Sequence, residues 1–317
     1  MDCPNMWQSL STKTTKMSIK IKEIVIAVVS ALVGALLTFA FMNKGYTKNT
    51  YTIGAKLGYD FNKPNAKIQL PEILHEISGL TDIDEHTLAL VQDEDGIVFI
   101  YDWQKEEIIK QIRFGEGGDY EGVTKAGNSI YVLRSDGKLF EIENFESEDF
   151  KVNEYDTEIP VKNNEGLGYD AKHKRLLIAG KSKPKGDEYK GKRAVFAFDL
   201  DSMGLMKQPV YIFKEENIER FVKENKSDGE IEQNLKINPS AIAVHPITDR
   251  LFVLSSKDKL VYIFNRENGL EAVHQLDKKL HLQPEGITFL DNGDMFISNE
   301  GVEERPSLLF FSYNEEK

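Results

Sequence analysis

The pattern of apolar and polar positions divides the chain in two. From Ile24 to Met42 an uncharged run, IVIAVVSALVGALLTFAFM, extends over 19 residues with no polar face at helical spacing. At about 1.5 Å per residue, a helix over this run spans roughly 28 Å, the thickness of a hydrocarbon core. From Ala66 onward the pattern changes to short runs rich in Val, Ile, Leu, Phe and Tyr, separated by turn residues such as Asp95-Gly96, Asp136-Gly137 and Asn292-Gly293. That punctuation predicts β-strands joined by tight turns. Residues 43–65 lie between the two, polar and rich in Gly, Lys, Asn and Thr. They are expected to be a linker with one early strand near Tyr51–Ile53.

The strand region repeats. EISGLT (Glu76–Thr81), EGVT (Glu121–Thr124), EGLGYD (Glu165–Asp170) and EGIT (Glu285–Thr288) share a pattern, and PSAIAV (Pro239–Val244) is a degenerate copy with Ser240 at the Glu place. The spacings are 45, 44, 75 and 45 residues, the long one equal to a repeat plus an insertion. A unit of about 45 residues holding four short strands has the size of a propeller blade. Five pivots predict an all-β, five-bladed β-propeller over residues 66–317. The last repeat is too short for four strands, so AKIQLPEI (Ala66–Ile73) is expected to supply its outer strand and close the ring. The insertion falls within residues 181–236, with a basic loop (Lys181–Arg193) and a short helix (Glu215–Asn225). A six-bladed alternative would build a further blade from residues 205–236.

Charge sharpens the division. Residues 1–50 carry six lysines against Asp2 and Glu23, a net +4, whereas the whole chain is −12, so the remainder carries −16. Four lysines precede the apolar run and two follow it. This bias makes residues 1–23 a cytoplasmic N-terminus, 24–42 a transmembrane signal anchor, and the propeller extracytoplasmic. A cleaved signal peptide is the alternative, with Thr38-Phe39-Ala40 a weak cleavage site. Met17 opens a compact basic segment and is an alternative start to Met1. The single cysteine, Cys3, excludes a disulfide framework and Cys-based zinc sites. The acidic body argues against nucleic acid as partner.

In a propeller, equivalent inner-strand positions recur around the axis. Glu76, Glu121, Glu165 and Glu285 are therefore expected to converge at one channel mouth. Two carboxylates about 5 Å apart repel by about 3 kcal/mol at an effective dielectric near 20, so such a ring needs a cation, protons or strong hydrogen bonds. An oxygen-only donor set suits calcium. The competing reading is that each Glu latches its blade to the next through backbone N–H groups. Asp93, Glu94, Asn164, Ser240, Asn299 and Glu300 are further candidate ligands at the mouth. Asp93-Glu94-Asp95-Gly96 equally suits a hairpin turn, and Lys181 is a candidate for holding an anionic ligand.

The runs EISGLTDIDEHTLALVQDEDGIVFIYD, GDYEGVTKAGNSIYVLRSDGKLFEIE, NNEGLGYD, INPSAIAVHP and QPEGITFLDNGDMFISNEG together resemble the SdiA-regulated (YjiK-like) family, over about Ala66 to Tyr313. The resemblance implies a membrane-anchored or exported five-bladed propeller, distantly similar to NHL-repeat propellers, and a bound calcium ion. It implies no settled enzymatic activity. HExxH, GxSxG and P-loop motifs are absent. The leading expectation is a binding module facing a cell-envelope protein or small ligand. The alternative is a metal-dependent hydrolase acting on an ester, lactone or phosphoester at the channel mouth.

Overall fold

A computed structural model describes residues 50–56, 58–226, 235–302 and 304–315. All of them belong to one compact unit, Thr50–Lys317. The apolar run 24–42 lies outside the described residues. Among the described residues, no helix is long and apolar enough to cross a membrane.

The chain enters through two short strands, β1 (Thr52–Gly54) and β2 (Ala66–Gln69). Blade one follows as β3 (Ile77–Asp82), β4 (Thr87–Gln92), β5 (Ile97–Asp102) and β6 (Glu107–Arg113). Blade two comprises β7 (Tyr120–Ala126), β8 (Ser129–Arg134), β9 (Lys138–Glu143) and β10 (Lys151–Asp156). In blade three, β11 (Asn164–Asp170), β12 (Arg175–Gly180) and β13 (Lys192–Asp199) are completed by β14 (Gly204–Leu205) and β15 (Tyr211–Lys214), both paired to β13. Helix α1 (Glu215–Asn225) leads toward blade four, with β16 (Ala241–Val244), β17 (Leu251–Ser255), β18 (Leu260–Phe264) and β19 (Leu270–Gln275). Blade five is β20 (Pro284–Phe289), β21 (Met295–Asn299) and β22 (Ser307–Phe311).

Every strand pair is antiparallel, and the described residues form five sheets. The inner strands close a ring: β3 lies against β7, β7 against β11, β11 against β16, β16 against β20, and β20 against β3. Strands in the middle of each blade are buried on both faces and read as continuous apolar runs. The outer strand β6, exposed on one face, alternates instead. The described residues among 205–236 build no sixth blade. Their strand Tyr211–Lys214 extends blade three, and Ile218 and Val222 of α1 join the core between blades three and four.

Ring closure is the expected one. Strand β2 pairs with β22 in the register Ala66↔Phe310 to Gln69↔Ser307, supplying the outer strand of blade five. Trp103, just beyond β5, stacks on Phe310 with ring centroids 5.1 Å apart, so blade one also grips the seam.

Within the expected linker over 43–65 the early strand is present, and the described residues beyond it pack on the propeller. Strand β1 is a fifth, outer strand of blade four, paired with β19 as Thr52↔His274 to Gly54↔Ala272. Beyond it, Tyr59 and Phe61 sit in the core between blades four and five. This stretch is a strap on the propeller: its polar composition hides two buried aromatic anchors.

Candidate functional site at the channel mouth

Four of the five inner strands share one irregularity. The register slips at Ser78 in β3, Glu121 in β7, Glu165 in β11 and Glu285 in β20, each time one residue before a glycine. Such a bulge re-aims the side chain of the extra residue. Glycine follows because the neighbouring blade approaches there. A Cβ on Gly79 would lie 3.0 Å from the Cα of Gly122, and one on Gly122 would lie 2.8 Å from the Cβ of Leu167. Sterics near the axis therefore explain the recurring Glu-Gly pair.

This register corrects the expected ring. Glu76 is two residues upstream of the bulge, and the structural equivalent of Glu121 is Ser78. The true ring is Ser78, Glu121, Glu165, Ser240 and Glu285. Its two serines do the same work: Ser78 Oγ donates to the carbonyl of Tyr120 at 2.7 Å, and Ser240 Oγ to that of Pro284 at 3.3 Å. Each carbonyl belongs to the residue before the next blade's pivot. Here serine latches one blade to the next by donating to a carbonyl, not a glutamate by accepting backbone N–H groups.

The three glutamates differ in their partners. Glu165 is 7% exposed and pairs with Lys181 Nζ at 2.7 Å. Lys181 is therefore spoken for by a pivot. Glu121 and Glu285 have no basic group within ion-pair distance among the described residues. Burial, then the neighbouring Glu165, Asp119 and Glu285, pushes the Glu121 carboxyl up to about 9. Burial, then Glu165, pushes Glu285 up to about 7, against help from Lys181, Ser256 and Lys259. Glu121, Glu165 and Glu285 thus act on one another's charge, whereas Glu76 acts on Asp93 and Glu300. Glu121 and Glu285 hold their charge only at a cost.

The peripheral candidates form a second circle. Asp93 lies just beyond β4 and donates its N–H to the Glu76 carbonyl at 3.2 Å; its Oδ1 is buried without a hydrogen-bond partner. Burial, then Glu76, Glu300 and Glu94, raises its carboxyl to about 6. Burial and then Glu285 and Glu76 raise Glu300, which accepts a hydrogen bond from Gln283. The backbone N–H of Glu94 donates to Gln92 Oε1, and Asp95 accepts from Gln92 Nε2, so this acidic run is a braced turn between β4 and β5. Asn164 and Asn299 are buried and use their amide N–H groups on the carbonyls of Ser135 and Val161 and of Leu280; each leaves Oδ1 unpartnered. Sequence reasoning missed Ser78, Ser256 and Lys259. The SG in EISGLT, aligned with the EG elsewhere, was the available signal for the first.

The donors suit calcium in kind, all being oxygens. In arrangement they fall short of a carboxylate cage: no group of three or more Asp, Glu, His or Cys among the described residues lies close enough to hold a metal ion. Beneath the pivots the channel narrows to a cavity of about 10 Å³, too small for more than one water.

The SdiA-regulated family model matches residues 57–313. No curated protein matches the sequence significantly. Among solved structures, glutaminyl cyclase from Myxococcus xanthus superposes with a TM-score of 0.54 at 12% identity, covering 80% of this chain and 96% of that one. A nidogen/laminin complex gives a TM-score of 0.48 at 12% identity, with 79% and 86% covered. At these identities the first shows the fold alone.

Proposed function

Since the chain belongs to the SdiA-regulated family, we propose that it is a membrane-anchored, extracytoplasmic propeller that works as a binding module, with a calcium ion at the pivot mouth. The anchor rests on the uncharged run 24–42 and the lysine bias around it. The observation that carries the cation is the pair Glu121 and Glu285: half-buried carboxylates, both raised, neither ion-paired among the described residues. A divalent cation would neutralise both while Lys181 balances the charge of Glu165. The calcium site would then draw on these two carboxylates, with water completing the oxygen shell.

Binding is favoured over hydrolysis by the state of the polar groups. Among the buried histidines, His245 bonds Tyr59 OH through Nε2 and accepts the Ile247 and Thr248 N–H groups through Nδ1. His281 Nε2 bonds the Phe61 carbonyl, and His274 Nδ1 bonds Thr52 Oγ1. Each commits one ring nitrogen to the strap. The test is a thermal melt of the protein in chelator and in calcium. At calcium a hundredfold above its Kd, about 2.7 kcal/mol of stabilisation is expected, or a rise of about 5–10 °C for a domain of this size. Superimposable melts would reject the ion.

A further inference from the structure

The other end of the channel is built differently. Two residues after each pivot, every blade contributes one buried aliphatic side chain: Leu80, Val123, Leu167, Ile242 and Ile287. Four of these line both the small cavity under the pivots and a larger one beyond, so the ring forms a floor between them. The larger cavity is an open basin of about 290 Å³ lined by residues of all five blades. That volume matches roughly ten waters, or one compact organic molecule.

The basin carries both signs in balance. Asp82, Asp249 and Asp291 line it, and so do Lys125, Lys172 and Arg266. Part of this charge is internally satisfied: Arg266 bonds Asp249 and lies 3.0 Å from Asp170, and Lys172 reaches Asp249 at 3.3 Å. Asp82 is not satisfied in that way. Its carboxylate accepts a hydrogen bond from Thr288 Oγ1 at 2.9 Å, and among the described residues no cation lies within ion-pair distance. Burial raises its carboxyl, as does Asp291 nearby, although Thr288 and Lys125 oppose the shift. Lys125 spends one donor on the Ile83 carbonyl at 3.2 Å and keeps two. Tyr169 and Phe289 add aromatic surface to the lining.

We propose that this basin binds a small zwitterion with an apolar body, of α-amino-acid size. The ammonium pairs with Asp82 and Asp291, the carboxylate with Lys125 and Lys172, and the side chain lies on the aliphatic floor. An ion of one sign would meet like charge on half of the wall, whereas a zwitterion meets complementary charge on both halves. This deepens the binding-module reading and rests on it, but it is independent of the cation at the opposite mouth.

The test is calorimetric titration of the full chain in detergent micelles with L-leucine and L-phenylalanine, in chelator and in calcium. Leucine methyl ester and N-acetyl-leucine serve as single-charge controls. Saturable binding of an amino acid at least tenfold tighter than either control is expected. Asp82→Asn, which keeps the acceptor for Thr288, should weaken it tenfold or more, and Asp291→Asn at the exposed rim should weaken it severalfold. No binding, equal binding of a control, or affinity unchanged in both variants overturns the proposal. NMR of the recovered probe separates this site from the reading on which it rests. An unaltered probe supports both, whereas a chemically converted one keeps the site and overturns the binding-only module.

Discussion

A methyl group tests the geometry of the axis. At Gly122 a Cβ would meet Leu167 Cβ at 2.8 Å and the Glu165 carbonyl at 3.0 Å, contacts with the neighbouring blade that cannot swing aside. Gly122→Ala should therefore cost about 1–3 kcal/mol in urea unfolding. Gly127→Ala, at φ +59° with nothing within 4 Å, should cost only the left-handed backbone term of about 1–2 kcal/mol. Charge at the pivots has a sharper signature. The Glu121 carboxyl titrates near 9 in the fold against 4.5 in an open chain, so the fold binds the extra proton between those values. Its stability is full below about 4.5 and lost as pH rises through 9. Glu121→Gln removes that loss: in chelator the variant should melt with wild type at pH 4.5 and above it at pH 9.5. Equal melting at both pH values would mean that Glu121 is not strained. At this scale the sequence was legible except for one offset. EISGLT contains a glutamate two places early, and only strand register shows that Ser78 occupies the bulge.

The strap between residues 50 and 65 shows how the docking of an element can escape detection. Strand β1 was expected near Tyr51–Ile53, but three residues in a polar context do not say which blade they join. Its docking depends on histidines far along the chain, which local pattern does not connect to it. His274 stacks on Phe61 at 4.6 Å, and His281 holds the Phe61 carbonyl at 2.9 Å. Tyr59 OH bonds His245 at 2.8 Å. Burial depresses all three imidazoles, His245 and His281 to about 4 and His274 to about 3. His281 adds to this at His274, as does Arg250 at His245, while the Phe61 carbonyl and Asp277 work the other way at His281. They are neutral in the fold, so the open chain gains protons first as pH falls below 6.5. Docking is fully supported above that value and lost toward pH 4. Hydrogen exchange, corrected for intrinsic rates, should show the amides of Thr52–Gly54 opening more readily at pH 4.5 than at pH 7. Protection independent of pH would show that the histidines do not hold the strap. By contrast, β2 was legible because ring closure demanded an outer strand and AKIQLPEI was the apolar segment at hand.

The whole molecule combines these two titrations with opposite signs. Five blades were readable because each repeat buries its middle strands and must punctuate its turns. The layering along the axis was not, because it depends on which equivalent residues meet across blades: Ser and Glu at one mouth, an aliphatic floor, then mixed charge in the basin. In chelator, stability should rise from pH 4 to about 6.5 as the strap histidines shed their penalty. It should then fall toward pH 9 as Glu285, titrating near 7, and Glu121, near 9, are forced to ionise in place. The melting temperature against pH is then a dome. Calcium distinguishes the limbs, since a cation favours the ionised carboxylates and has no purchase on the histidines. Adding it should raise and flatten the alkaline limb while leaving the acid limb in place. A uniform rise on both limbs would assign calcium to a site other than the pivots, and an unchanged alkaline limb would leave the half-buried glutamates to protons alone.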